Sequence, residues 1–113
     1  MRDRGHDESM AELFREDPAF AARYLNELLE EGDQADLLVA LRQIAQAFGG
    51  VPAIAEKAHL NATQLYRTLS ADGNPELRSL TAVLKAMGMR LAIAMVPQVD
   101  HGKAGRYKRE GRA

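Results

Sequence analysis

The sequence of 113 residues predicts an all-α domain of about five short helices, on three observations. Apolar residues recur every three or four positions through most of the chain, which is the spacing of one face of a helix. Glycine, proline, aspartate and asparagine residues interrupt this pattern at short intervals and mark helix boundaries. Between residues 51 and 70, two such helices are separated by only a few residues, which predicts a helix-turn-helix.

The first two predicted helices have clear start and stop signals. Asp17-Pro18 is an acidic N-cap followed by proline at the first helical position, so a helix is expected to begin there. It continues to residue 31, and Gly32 ends it. Asp33 can then cap a second helix over residues 34–48.

The stretch from residue 51 to 70 has the pattern of two helices joined by a tight turn. Leu65 and Leu69 are four residues apart and supply the buried face of the second helix, while Asn61 is its N-cap. This arrangement is typical of a helix-turn-helix, whose second helix enters the major groove of DNA, although ordinary helical hairpins share it. The residues that the second helix is expected to project outward are Ala62, Thr63, Gln64, Tyr66 and Arg67.

The candidate DNA-binding residues lie on this second helix and around the start of the next one. Arg67 is the best candidate for reading a base, since a guanidinium can bond guanine O6 and N7; pairing with Glu56 or Asp72 is the alternative. Gln64 can bond adenine in a similar bidentate way. Asn74 either helps to hold a phosphate or only shapes its turn. The full set is Asn61, Ala62, Thr63, Gln64, Tyr66, Arg67, Asn74 and Ser79.

The C-terminal part of the domain is predicted to contain a helix and a strand. A loop over residues 71–75 precedes a helix from Glu76 to Met87. Residues 89–96 alternate in character, which predicts a short strand, with a last helical turn as the alternative. A lone strand cannot satisfy its own backbone hydrogen bonds, so it is expected to pair with the same strand of a second copy in a two-fold dimer.

Charge divides the chain into unlike parts. We expect a flexible acidic segment over residues 1–16, a helix-turn-helix domain over residues 17–97 and a flexible basic tail over residues 98–113. Residues 1–33 hold 4 basic and 10 acidic residues, a net charge of −6, and the remainder holds 11 basic and 6 acidic residues, a net charge of +5. The basic part favours a polyanion and the acidic part a basic protein, unless both are only solvated helix faces.

Several classes of protein are disfavoured by composition. The chain has no cysteine, which excludes disulfides, iron–sulfur clusters and thiol catalysis, and its three histidines are isolated, so no metal or other cofactor is expected. The sequence has neither a phosphate loop after a strand nor a nucleophile elbow, and an enzyme is therefore the least favoured class. Without an apolar run of membrane-spanning length or a signal peptide, a cytoplasmic protein is expected.

Three sequence segments, in this order, resemble the addiction-module antidote proteins, small helix-turn-helix antitoxins related to the phage-repressor-like family and to HigA-type antitoxins. They are YLN with EEGD at residues 24–33, LYR-x-LS at residues 65–70, and DGNP with LxxVLKAMGMRL at residues 72–91. The resemblance covers about residues 20–96. It implies a five-helix phage-repressor-like domain that dimerises, represses its own operon by binding operator DNA, and neutralises a toxin of the RelE/HigB type. Because such a toxin must approach RNA phosphates, we expect it to be basic.

The chain departs from the family pattern at the start and turn of the helix-turn-helix. His59 stands where the turn usually has glycine, and Asn61-Ala62 replaces a Ser-Arg pair. An arginine that could read guanine or hold a phosphate is therefore missing. Two alternatives to the antitoxin follow: a helix-turn-helix transcriptional regulator without a toxin partner, and a protein-interaction module that does not use DNA.

Overall fold

The structure is a computed structural model that describes residues 4–97, and these residues are helical without any strand. The predicted all-α class is therefore confirmed, while the predicted basic tail at residues 98–113 lies outside the described residues. The helices are α1 (Arg4–Glu16), α2 (Pro18–Glu31), α3 (Gln34–Ala47), α4 (Val51–Ala58), α5 (Ala62–Thr68) and α6 (Leu77–Ala86).

Three of these helices begin at the N-caps that the sequence predicts. The Asp17 carboxylate accepts the Phe20 N–H at 3.1 Å and caps α2. Asp33 caps α3 and Asn61 caps α5, each by accepting the N–H three residues further on at 2.9 Å. Each such bond satisfies a backbone donor that the helix itself leaves free, and is worth about 1 kcal/mol.

Helix α1 occupies residues 4–16 of the segment 1–16, which the sequence predicts to be flexible. Its residues Ala11 and Phe14 are buried, and the Phe14 ring lies 5.6 Å from the rings of both Phe20 and Tyr24. An apolar stripe this narrow cannot stabilise a helix alone, because short helices gain most of their stability from packing. Here α2 and α3 supply the covering surface, so the segment becomes part of the domain.

Two polar contacts also hold α1 against α3. The Gln43 side-chain amide, which is buried, donates a hydrogen bond to the Asp7 carboxylate at 2.9 Å. The Arg15 guanidinium donates to the Ala47 carbonyl at 3.4 Å. Because burial of a polar amide is costly unless it is hydrogen-bonded, the bond between Gln43 and Asp7 fixes how α1 docks.

Helix α3 lies at the centre of the domain, where it packs against α1, α2 and α4. Gly49 and Gly50 have φ angles of 122° and 102°, and α4 then leaves at 93° to α3. Such φ angles favour glycine, so this pair allows the sharp change of direction that places α4 against α6. The most deeply buried large side chains are Phe14, Leu38, Leu41, Ile44, Val51, Ile54, Leu69 and Val83.

Between α6 and residue 97, the structure contains neither the predicted strand nor the alternative helical turn. Gly88, at φ 81°, ends the helix, and the Met89 N–H bonds back to the Leu84 carbonyl at 2.8 Å. Residues 90–97, which we call the C-terminal arm, then have no regular structure. A strand requires a second strand beside it, and the described chain offers none.

Beside the start of the C-terminal arm, leucines of α2, α3 and α6 line a small apolar pocket, which we call the leucine groove. Leu91 of the arm lies in it, and Leu29 at its edge remains about half exposed. The lining residues are Leu25, Leu29, Leu37, Leu41, Leu80, Leu84 and Leu91.

Within residues 4–97, no single helix combines the length and apolar character needed to cross a bilayer. The bent pair formed by α3 and α4 meets both criteria only when its two helices are taken together.

Candidate nucleic-acid interface

The turn between α4 and α5 is fixed by two backbone hydrogen bonds. His59 takes the left-handed conformation, with φ 61° and ψ 43°, and its N–H bonds to the Glu56 carbonyl at 3.1 Å. The next N–H, of Leu60, bonds to the Ala55 carbonyl at 2.8 Å, and the Leu60 side chain packs against the core. This is a Schellman motif, and it sets the direction in which α5 leaves α4.

Helix α5 is attached to the domain by one face only. Leu65 within the helix and Leu69 at its end are almost fully buried, as their spacing predicts. They contact the α6 side of the core in a small apolar pocket that Val83 also lines. The opposite face of α5 is therefore left to the solvent.

The exposed face of α5 carries most of the predicted candidates. Thr63, Gln64, Tyr66 and Arg67 are all exposed, with Tyr66 about half accessible. Ala62 was expected to project outward too, but it is half-buried against the core, because the first turn of α5 lies close to the domain. An exposed row of polar and aromatic side chains on a firmly anchored helix is suited to contact with a partner.

The guanidinium of Arg67 has no ion-pair partner in the part of the chain that the structure describes. Neither Glu56 nor Asp72, the alternatives that the sequence suggests, forms a salt bridge with it. The side chains of Thr63 and Gln64 likewise form no hydrogen bond with residues 4–97. The hydrogen-bonding groups of this face are therefore available to a ligand.

The remaining candidates have different surroundings. Asn61 uses its side-chain oxygen to cap α5, and with Gln64 and Ser79 it lines a shallow cleft between α5 and the start of α6. Asn74 is exposed in the preceding loop and does not line this cleft. Glu76 is the N-cap residue of α6, but its side chain accepts no hydrogen bond from the helix. The Glu76 side chain therefore leaves the first backbone N–H groups of α6 uncapped.

Two residues that sequence reasoning missed hold the loop beside this cleft. The Gln34 side-chain amide donates to the Gly73 carbonyl at 2.9 Å. A Cβ atom at position 73 would overlap the carbonyl oxygen of Thr68 at the end of α5, so only glycine fits there. The Asp-Gly-Asn-Pro turn signal indicates a tight loop, but a partner 39 positions away has no signal in the sequence.

Charge is distributed unevenly over the described residues. Residues 4–33, which form α1 and α2, hold 3 basic and 9 acidic residues, a net charge of −6. Residues 34–97 hold 6 basic and 4 acidic residues, a net charge of +2. The first two helices are therefore strongly acidic, whereas the part of the domain that contains the exposed face of α5 is mildly basic.

Fold and site together define a small all-helical domain that offers one exposed polar helix face. Over residues 7–95 the chain matches the model of the family described as "Probable addiction module antidote protein", and it belongs to that family. It is 36% identical over 70 residues to an uncharacterized protein of Haemophilus influenzae, a stretch that covers 62% of this chain and 71% of that protein. No solved structure matches the chain. The family supports an antitoxin role and implies a toxin as partner.

Proposed function

We propose that this antidote protein acts as a homodimer in the cytoplasm, binds the operator DNA of its own operon and represses it. In this proposal α4 and α5 are a helix-turn-helix, and α5 is the recognition helix that enters the major groove. The observation that carries it is the outer face of α5, where the polar groups of Thr63, Gln64 and Arg67 have no partner within residues 4–97. No step of this role requires catalysis or a cofactor.

Each of these three side chains has a defined task on DNA. Arg67 would bond guanine O6 and N7, and Gln64 would bond adenine N6 and N7, both in the major groove. Thr63 would contact a phosphate or a thymine methyl group, and Tyr66 would pack over the sugar-phosphate backbone. Asn61 already caps α5, so we assign it the positioning of that helix, while Ser79 at the start of α6 would approach a phosphate.

The toxin partner in this proposal is a basic protein of the RelE/HigB type that cleaves mRNA. Such a toxin must approach RNA phosphates, so its surface is expected to be positive. The −6 charge of residues 4–33 is its electrostatic counterpart, and exposed carboxylates on α2 include Glu27 and Glu30. Complementary charge of this kind steers association and selects partners.

DNA binding is tested by gel shift and fluorescence anisotropy with the promoter upstream of the protein's own gene. Specific binding should be saturable and should weaken as salt rises, because phosphate neutralisation releases counterions. A scrambled promoter of equal length is the control for specificity. An equal affinity for both fragments would contradict operator binding.

Toxin binding is tested separately, with the purified product of a short basic open reading frame beside this gene. The double variant Glu27→Lys/Glu30→Lys should weaken that complex at least about tenfold while leaving promoter affinity within about threefold, since both side chains lie on exposed α2 positions. Deletion of residues 1–16 would be a poorer test, because it removes Phe14 from the core. If the protein binds the promoter but not the toxin, it is a transcriptional regulator without a toxin partner. If it binds the toxin but not the promoter, it is a protein-interaction module that does not use DNA.

A further inference from the structure

Beyond Leu91, the C-terminal arm is exposed and makes no backbone hydrogen bond with the rest of residues 4–97. Ile93, Met95 and Val96 are 98%, 90% and 75% exposed. Within residues 4–97 the arm makes no backbone hydrogen bond, and from Leu91 to Val96 it has no charged residue. Natural proteins protect exposed strand edges with charge, proline or a covering element. Here Arg90 and Pro97 stand only at the two ends of the arm, so the apolar stretch between them has neither charge nor proline.

Between residues 91 and 95, the alternation of large and small side chains is the same in both directions from Ile93. Large residues at 91, 93 and 95 alternate with alanine at 92 and 94. If two copies pair antiparallel about Ile93, each Ile93 faces its counterpart and each Leu91 faces a Met95. Leu91, Ile93 and Met95 of both copies then lie on one face of the pair, and the four alanines lie on the other, together with Val96. In a two-fold dimer both copies present the same surface, so that surface must be complementary to itself, as the sequence of residues 91–95 is. Binding to an unrelated protein would not require this symmetry.

We propose that two copies of this chain pair their C-terminal arms as an antiparallel ribbon centred on Ile93, whose large apolar face covers the leucine grooves of both protomers. An isolated two-stranded ribbon is marginal in water and needs a surface to pack against. The leucine groove is that surface, because Leu91 already lies in it and Leu29 at its edge is about half exposed. The ribbon gives the homodimer of the proposed function its interface, and it forms without DNA or toxin.

Sedimentation of the purified full chain, without DNA or toxin, tests the dimer. At high micromolar concentration it should show twice the chain mass of 12.4 kDa. Ile93→Asp places a charge at the centre of the ribbon and should return the protein to a monomer. Its helical circular dichroism should be retained, because Ile93 is 98% exposed in the single chain. Leu13→Asp is the matched control, an apolar-to-acid change at an exposed site on α1, and should leave the dimer intact.

Disulfide cross-linking tests the register, since the chain contains no cysteine of its own. Opposite residues in antiparallel strands have Cα atoms about 4.5–5.5 Å apart, within the range that a disulfide spans. Ile93→Cys should therefore form a covalent dimer alone. Ala92→Cys should not, because its counterpart lies diagonally across the ribbon, at about 7–8 Å. A mixture of Ala92→Cys with Ala94→Cys should cross-link into mixed dimers.

Three outcomes would overturn the ribbon. The first is a wild-type chain that sediments as a monomer at every concentration. If Ile93→Asp then abolishes toxin binding, the arm binds the toxin and not a second copy. The second is a dimer that Ile93→Asp leaves intact. The third is rapid cross-linking through Ala92→Cys alone, which requires another register. Promoter and toxin binding by the wild-type chain are measured in separate assays, so failure of the ribbon is distinguishable from failure of the proposed function.

Discussion

His59 holds the turn between α4 and α5 in a conformation that costs free energy for any residue with a Cβ atom. Among residues 4–97, it is the one residue other than glycine with a positive φ. The cost of the left-handed region is about 1 kcal/mol, and histidine, like asparagine, tolerates it better than most residues. The two Schellman hydrogen bonds of the turn compensate for this cost.

Replacement of His59 with glycine should therefore stabilise the protein. We expect the free energy of unfolding to rise by about 1 kcal/mol, measured by urea denaturation followed by circular dichroism. His59→Ala keeps the Cβ atom and should give no such gain, because alanine is no better suited than histidine to a positive φ. A loss of stability in His59→Gly would show instead that the imidazole makes a stabilising contact.

Arg67 is the residue whose loss should affect operator recognition most. Arg67→Ala should weaken promoter binding by about 1–3 kcal/mol, or roughly 5- to 150-fold in Kd, and relax base preference at one position. Competition anisotropy with single-base promoter variants measures both effects. Arg23→Ala, an exposed arginine on α2, is the matched control and should change affinity less than about twofold. Equal effects of the two substitutions would contradict base reading by Arg67.

At the scale of elements, α1 shows how a weakly patterned segment becomes structural. Its two neighbouring apolar residues have opposite surroundings, since Phe14 is fully buried and Leu13 is 48% exposed. The aromatic cluster of Phe14, Phe20 and Tyr24 joins α1 to α2, so α1 should unfold together with the rest of the domain.

Substitutions at these two positions should differ sharply in cost. Phe14→Ala should lower the free energy of unfolding by about 3–5 kcal/mol, from lost burial and the cavity it leaves. Leu13→Ala should lower it by less than about 1 kcal/mol, because half of that side chain is already in water. Urea denaturation measures both. Similar small costs at both positions would show that α1 does not belong to the cooperative core.

The loop between α5 and α6 is the second element on which the site depends. A side chain at Gly73 would overlap the backbone at Thr68, so Gly73→Ala must displace the loop or the end of α5. We expect a loss of about 1–3 kcal/mol in unfolding free energy, with weaker promoter binding because α5 shifts. Asp72→Ala, an exposed change in the same loop, should be nearly neutral for stability. Unchanged stability in Gly73→Ala would mean that the loop moves freely away from α5.

At the scale of the whole molecule, a symmetric dimer predicts the form of the operator. Two recognition helices about 34 Å apart would contact major grooves one helical turn from each other, on an inverted repeat. Hydroxyl-radical footprinting should therefore show two protected half-sites separated by about 10 base pairs. Insertion of about 5 base pairs between them should abolish tight binding, because the half-sites would then face opposite sides of the duplex. A single protected site that tolerates the insertion would contradict two-fold binding.

Most of the helix limits and the outward side chains of α5 can be predicted from the amino-acid sequence. Asp17, Asp33 and Asn61 each bond an N–H only three residues away, and Leu65 and Leu69 share one face by spacing alone. Interactions of this kind are local, so a short window of sequence contains both partners. The sequence pattern therefore also gave Thr63, Gln64 and Arg67 their exposed positions.

Features that depend on residues far apart in the chain become visible only in the folded domain. Phe14 makes α1 part of the core because α2 and α3 cover it, and Gln34 holds Gly73 across 39 positions. Ala62 is half-buried for a similar reason, since the core lies beneath the first turn of α5. In the C-terminal arm the opposite occurs: the sequence alternates like a strand, but the arm forms no strand because residues 4–97 contain no second strand to pair with it. Burial and strand pairing are properties of surfaces that meet in space, and a local pattern cannot specify which surface will be there.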